Sequence, residues 1–203
     1  MYVIGLTGGI GSGKSTVAAI LEEQGAVVLN ADLVGHEVYL PGRPAWQEIV
    51  DAFGRNVLAP DGTIDRKKLG AAVFSDPRAL KRLNRIVHPR MKGMMREKLA
   101  ELDRGGVEVA VLEAALLFDA GWDDLADEVW VTVAPPEVAA QRAAQRSGVP
   151  VEHVLERIKA QMSNEERLRR SHVVIDTSGD LNATERQTVQ EWQRLKQRLG
   201  TPA

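Results

Sequence analysis

Tyr2-Val3-Ile4-Gly5-Leu6-Thr7-Gly8-Gly9-Ile10-Gly11-Ser12-Gly13-Lys14-Ser15-Thr16 decides how this chain folds. Tyr2–Thr7 is an apolar, β-branched run closed by glycines and reads as a buried strand. Gly8-x-x-x-x-Gly13-Lys14-Ser15 then matches the phosphate-loop pattern in full, and Ser15–Gln24 follows with helical spacing at Val17, Ile20 and Leu21. Strand, loop and helix in that order are what an anion cradle needs. Glycines such as Gly9, Gly11 and Gly13 let successive N–H groups turn inward with no Cβ in the way, and the start of the helix adds its positive end. Ser12 completes the loop, and Lys14 brings a mobile charge to the β and γ phosphates. The Ser15 hydroxyl suits Mg²⁺, and Thr16 is placed for the α phosphate. The loop therefore predicts binding of a purine nucleoside triphosphate.

Further strands are expected at Ala26–Leu29, Val107–Leu112, Val129–Val133 and His172–Ile175. Helices alternate with them. Glu137–Arg146 begins after Pro135-Pro136, Pro150–Met162 follows, and Leu181–Leu199 carries Val189, Trp192, Leu195 and Leu199 on one face. Another helix is expected to begin at Ser75-Asp76-Pro77, with a cap and a proline in its first turn. The alternation predicts an α/β fold with a five-stranded parallel sheet covered by helices on both faces. Residues 32–104 are too long and too helical for a simple crossover and read as an inserted helical subdomain within a core formed by 1–31 and 105–203. A small helical hairpin at the sheet edge, placed at about 138–165, reads as a mobile lid.

With 203 residues, 44% of them hydrophobic, the chain can bury one substantial core. It has no cysteine, which excludes disulfides, thiolate metal sites and a cysteine nucleophile. No apolar run approaches the ~20 residues of a membrane span, and no signal-like leader is seen, so a cytoplasmic protein without a membrane partner is expected. The net charge of −2 argues against a nucleic-acid surface. Charge is nevertheless uneven. Ile64–Lys92 holds nine basic residues against Asp65 and Asp76, either a solvated helix face or a field for an anionic ligand.

The loop leaves the reaction open between a small-molecule kinase and a GTPase-type switch. No Asn-Lys-x-Asp segment is present to read guanine, and Asp176-Thr177-Ser178-Gly179 follows the last strand, too late to sit beside a γ phosphate. A kinase needs a carboxylate near the acceptor hydroxyl, and Asp32 lies just beyond the second strand, at the carboxyl edge where the loop also opens. The competing role for Asp32 is N-cap of a helix starting at Leu33. Glu113, at the end of the third strand, is placed either to hold a magnesium-bound water or to serve as a cap or ion-pair partner. Pro89 is expected to push His88 out of helical conformation. Arg142 and Arg146, four apart, share a helix face.

Over nearly its whole length the chain resembles the dephospho-CoA kinase family. The residues that carry the likeness are Leu6–Thr16; Asn30-Ala31-Asp32; Phe53-Gly54 with Asp61-Gly62-Thr63-Ile64-Asp65-Arg66 and Leu69; His88-Pro89; Leu116-Leu117-Phe118-Asp119; and Gln141-Arg142, Arg146 and Gln161. Asn30, His36, Ala115 and Asp119 stand where the family pattern has aspartate, arginine, proline and glutamate. The resemblance implies a P-loop nucleotide-kinase fold that transfers the γ-phosphoryl of ATP, with Mg²⁺, to the ribose 3′-hydroxyl of dephospho-CoA. It implies that 32–104 accepts the CoA substrate. Asp32 would be the catalytic base, Lys14 and Arg142 would act in catalysis, and Arg146 would bind ATP. His88, Leu116, Leu117 and Phe118 would contact the substrate. The nearer alternative is a P-loop kinase for another small alcohol or nucleotide.

Overall fold

The computed structural model describes residues 1–74 and 76–200. The chain divides into two compact units, Met1–Leu29 with Glu101–Ala203, and Asn30–Ala100.

The first unit is built on a parallel sheet. Its strands are β1 (Tyr2–Gly8), β2 (Val27–Asn30), β3 (Val109–Glu113), β4 (Glu128–Val133) and β5 (Val173–Asp176), in the order β2-β3-β1-β4-β5. β1 is central, and its register sets Leu6 opposite Glu113 and Gly8 opposite Thr132. Because β1 and β3 are buried along almost their whole length, they read as continuous apolar runs. β3 begins two residues later than expected. The chain leaving the preceding helix is still closing its last turn, with Val107 N–H donating to Leu102 O. β5 also starts one residue late: His172 Nδ1 accepts the Val129 N–H at 2.9 Å.

Helix α1 (Lys14–Glu23) buries Val17, Ala18, Ile20 and Leu21, and the last helix, Leu181–Leu199, buries Thr184, Thr188, Trp192 and Leu195. Together they cover Ile4, Leu6, Val111, Trp130 and Ile175 on one sheet face. On the other face, Gly5 lies against Leu117 and Ala126. Leu199 was expected in the core but is exposed, and Val189 is only half-buried. The two threonines take the buried stripe instead, because each hydroxyl returns a hydrogen bond to its own helix: Thr184 to Asp180 O and Thr188 to Thr184 O.

Between β4 and β5 lie α6 (Pro136–Ser147), α7 (Val151–Lys159) and α8 (Asn164–Arg170). The expected single helix to Met162 stops at Lys159. Ser163 then caps a new helix by accepting the Glu166 N–H at 3.1 Å. α6 and α7 share a small core of Ala140, Ala143 and Val154, against which Ile10 of the phosphate loop packs.

The second unit is helical: α2 (Ala31–Glu37), α3 (Pro44–Phe53), α4 (Arg66–Phe74) and most of α5 (Pro77–Arg104). The last element, α9, is the helix Leu181–Leu199 already described. The second unit has its own core of Ile49, Val50, Val57, Ile64, Leu69 and Val73. Here the Asp61–Arg66 stretch has structural work. Asp61 accepts from the N–H and hydroxyl of Thr63 at 3.0 and 2.6 Å, and Asp65 accepts the N–H groups of Lys67 and Lys68 at the start of α4. The Thr63 hydroxyl and N–H hold the Asp61 carboxyl below its ordinary pKa.

α5 corrects the expectation for His88. The helix runs unbroken through His88 and Pro89. An internal proline costs about 3 kcal/mol, and packing on both sides offsets it. Ile86 and Val87 lean on the unit's core, and Met91, Met95 and Leu99 are buried beyond. At the start of α5, Asp76 Oδ1 accepts the Arg78 N–H at 2.8 Å, while Ser75 lies outside the described residues. Of the nine cations, Lys68 donates to Leu58 O, Arg90 pairs with Glu48 and Arg82 lies over the Phe53 ring. Arg78, Lys81 and Arg85 are exposed.

Trp130 has no exposed surface, and its indole N–H donates at 2.7 Å to the buried Glu128, which also holds Arg198 at 3.0 Å. Trp130→Ala should therefore lower unfolding stability by about 3–5 kcal/mol. The midpoint of urea unfolding measures it; a change under ~1 kcal/mol would place the sheet's support elsewhere.

Candidate active site

The chain from Gly8 to Ser15 turns from the end of β1 into α1 at the carboxyl edge of the sheet. The turn requires left-handed backbone, which Gly11 (φ 70°) and Gly13 (φ 77°) supply. Gly11 is constrained twice, since a Cβ there would strike the backbone carbonyl of Ala139 in α6. The loop's shape is fixed from outside by hydroxyls. Ser12 Oγ and Thr132 Oγ1 are 2.7 Å apart, and Thr177 Oγ1 donates to Ser12 O at 3.0 Å. These bonds use side chains and a carbonyl, while the Ser12 N–H closes the loop on Gly9 O at 3.3 Å and the Thr16 N–H turns back to Gly13 O at 3.1 Å. The Ile10 N–H donates to Gln161 Oε1 at 3.0 Å.

Lys14, the first residue of α1, is half-buried, and Ser15 and Thr16 are exposed in the same first turn. Ser15 Oγ donates to Glu113 Oε1 at 3.1 Å. Glu113 is buried, with 6% of its surface exposed, so a carboxylate ends β3 directly beside the loop hydroxyl. A hydroxyl and a carboxylate are the hard oxygen groups Mg²⁺ prefers, and magnesium typically takes few protein ligands and completes its shell with phosphate and water. The residues present fit that ion. Among the described residues no cluster of three or more His, Asp or Glu forms an all-protein cage.

Arg142 and Arg146 line a cavity of about 350 Å³ with Gly11, Gly13, Thr16 and Thr177. Arg142 donates to Thr177 Oγ1 and Gly179 O, both at 3.3 Å. It thus ties α6 to the turn after β5, at the Gly13–Thr16 end of the loop. The Asp176–Gly179 segment is indeed a strand-ending turn, with Asp176 Oδ1 accepting the Ser178 N–H. In the Leu116–Phe118 segment the three side chains part company. Leu116 is 44% exposed, Leu117 is fully buried against Gly5, and Phe118 is buried beneath the Arg170 guanidinium, 4.2 Å from its ring centre. Leu117 is therefore core, not a surface offered to a ligand.

Asp32 and His88 belong to the second unit. Asp32 is exposed in the first turn of α2. The cap of that helix is Asn30, whose Oδ1 accepts the N–H groups of Asp32 and Leu33 at 2.9 and 3.3 Å. The capping duty considered for Asp32 thus falls to its neighbour, and the substitution of aspartate by asparagine at position 30 keeps a competent cap. His88 is half-buried in α5, and His36 is exposed.

One residue at the loop has no counterpart in the sequence reading. Arg167 of α8 is 3% exposed and lies against Gly9. The signal that finds it is Ser163-x-x-Glu166, a helix-start signature that places a new helix, and hence Arg167, after the lid.

A central parallel strand, a glycine loop pinned by hydroxyls, Lys14 and a Ser15–Glu113 pair define a P-loop nucleotide-binding protein. A sequence profile described as dephospho-CoA kinase matches residues 2–183. A dephospho-CoA kinase from Geobacter sulfurreducens is 48% identical over 95% of this chain and 98% of its own, and one from Moorella thermoacetica is 45% identical over 98% and 94%. The solved dephospho-CoA kinase of Campylobacter jejuni superposes with a TM-score of 0.73 at 27% identity, covering 96% of this chain and 97% of its own. The chain belongs to the dephospho-CoA kinase family.

Gly11→Ala combines positive φ with the Ala139 carbonyl. It should weaken ATP binding about tenfold or more, from ~1–2 kcal/mol of backbone strain alone. Calorimetric titration with ATP reads this; unchanged affinity would mean that α6 yields without cost.

Proposed function

We propose that this protein transfers the γ-phosphoryl group of ATP to the ribose 3′-hydroxyl of dephospho-CoA, giving CoA and ADP, the last step of coenzyme A synthesis. The observation that carries the proposal is the Gly8–Ser15 loop with Glu113 beside Ser15, in a chain of this family. Backbone N–H groups of the Gly8–Ser15 loop hold the phosphates, with Lys14 on the β and γ groups. Ser15 would ligate Mg²⁺, and Glu113 would hold a water in its shell. When bound, the ion draws charge from the β and γ oxygens. Asp32 accepts the proton of the 3′-hydroxyl as that oxygen bonds to the γ phosphorus and the bond to the β–γ bridging oxygen breaks.

Arg142 and Arg146 bind ATP from the α6 side. For Arg142 to reach the leaving phosphoryl, it must exchange Thr177 and Gly179 for phosphate oxygens, which assigns movement to the lid, residues 138–165. Lid closure also excludes the water that would otherwise hydrolyse ATP. The 32–104 region is assigned to dephospho-CoA, with His88 in contact and Arg78, Lys81 and Arg85 supplying a field for its diphosphate. Leu116 is the exposed apolar residue assigned to the pantetheine side, resting on Leu117 and Phe118. No helix among the described residues is long and apolar enough to cross a membrane. We assign the reaction to the cytoplasm, where ATP is at hand, with no nucleic-acid or membrane partner.

Purified protein with ATP, Mg²⁺ and a panel of acceptors tests the proposal. Dephospho-CoA should be converted to CoA with ADP release; phosphorylation of another alcohol in its place would make this a different P-loop kinase. Asp32→Asn should lower turnover by about 10²- to 10⁴-fold with ATP affinity nearly intact. A rate within threefold of wild type would remove Asp32 from the role of base.

A further inference from the structure

α8 brings one further cation, Arg167, to the phosphate loop. Arg167 is 3% exposed, yet among the described residues its guanidinium has neither a hydrogen-bond acceptor nor an ion-pair partner. Such burial is costly. An uncompensated charge in a protein interior typically costs several kcal/mol. Burial pulls the guanidinium below its ordinary pKa, while the Asp119 carboxylate pushes it back up. The group nonetheless stays a cation at neutral pH. A side chain kept charged and buried with its donors uncommitted is poised for an anion.

Its position says which anion. A Cβ on Gly9 would lie 3.4 Å from Arg167 Nη1 and 3.4 Å from Gln161 Oε1, so both side chains flank the glycine that opens the loop. Arg167 also lines a cavity of about 440 Å³ with Gly9, Ser12, Gln161 and Asn164. The loop has a direction. Gly13 and Thr16, at the α1 end, belong with the α phosphate, and Lys14 belongs with the β and γ groups. Arg142 is tied down at that α1 end, on Thr177 and Gly179. Arg167 stands at the opposite end, beside Gly9, the end to which this direction assigns the terminal phosphoryl. Asn164, one helical turn before it, is fastened to Ala134 O at 3.2 Å, and the Ser163 cap fixes the start of the helix. α8 therefore holds the guanidinium in place before any movement of α6 and α7.

We propose that Arg167 is a catalytic residue of this kinase: its guanidinium donates to the γ-phosphoryl group of ATP across Gly9 and neutralises charge as that group passes to the acceptor. Only an arginine supplies several in-plane donors to a trigonal phosphoryl group. The inference rests on the kinase activity proposed above and adds the residue that stabilises its transition state.

The test uses the full-length protein, with Arg167→Met to match volume without charge and Arg167→Lys to keep the charge without the fork. Calorimetry compares a non-hydrolysable ATP analogue with ADP, and steady-state kinetics separates kcat from KM. For Arg167→Met, affinity for the analogue should fall about tenfold or more while ADP affinity stays within threefold. kcat should fall about 10²- to 10³-fold, with KM for dephospho-CoA little changed. Arg167→Lys should retain part of the discrimination and recover part of kcat. Equal losses for the analogue and ADP, or a kcat within threefold of wild type, would overturn the proposal and make Arg167 a structural cation. ADP binding and thermal unfolding of each variant show that it is folded; if Arg167→Met does not fold, Arg167→Lys decides, since wild-type kcat there would refute a role for the fork. Failure of the acceptor assignment looks different. Wild-type protein would then leave dephospho-CoA untouched, while the analogue-over-ADP preference and its dependence on Arg167 would persist.

Discussion

A loop that binds phosphate with its own backbone must keep N–H groups unspent, and something else must then help hold it in shape. Here much of the second task falls to hydroxyls. Ser12 and Thr132 share a hydrogen bond, Thr132 reaches Thr7 O, and Thr177 fastens both Ser12 O and Val133 O. The three strands that meet at the loop each contribute: β1 delivers Thr7 and Gly8, β4 brings Thr132, and the end of β5 leads into Thr177. The parallel order with β1 at the centre is thus more than a core arrangement. It brings Thr132 and Thr177 to the turn from the β4–β5 side of β1 and sets Glu113 of β3 beside Ser15 from the other.

The helical unit solves a separate problem. Its core of Ile49, Val57, Ile64, Leu69 and their neighbours is its own, and Trp46 anchors the Asp61–Thr63 turn through a bond to Gly62 O at 2.9 Å. Several residues that carry the family likeness in this stretch therefore earn their place in folding. Asp61 closes a turn and Asp65 caps a helix, work that any sequence comparison would mix with substrate contact.

How far the sequence reached follows from how each element is stabilised. The five strands were legible because a parallel sheet buried on both faces demands unbroken apolar runs, and the loop because its chemistry leaves few substitutes. α8 escaped because Asn164–Arg170 has no apolar period and carries charge at nearly every position. Only the Ser163–Glu166 cap betrayed it, and with it Arg167. Pro89 misled because a local preference was set against a 28-residue helix packed on both sides of it. Leu199 misled because it lies exposed at the last residue of its helix, while Thr184 and Thr188 satisfied their hydroxyls internally and took the apolar stripe. Arg142 was placed on the correct helix, but its hydrogen bonds to Thr177 and Gly179 depend on a turn 35 residues away along the chain, beyond any local pattern.

Ile10 belongs to two structures at once. Its N–H is held by Gln161, and its side chain packs with Ala140, Ala143 and Val154 in the small core of the α6–α7 hairpin. Any ligand that claims that N–H must displace the glutamine, and any rearrangement of the hairpin must reseat the isoleucine. The free energy of filling the loop and the free energy of repacking the hairpin are therefore coupled through one residue, and coupling of this kind is reciprocal. A substitution at Val154, inside the hairpin core, would change nucleotide affinity to the extent that it changes the hairpin's own equilibrium.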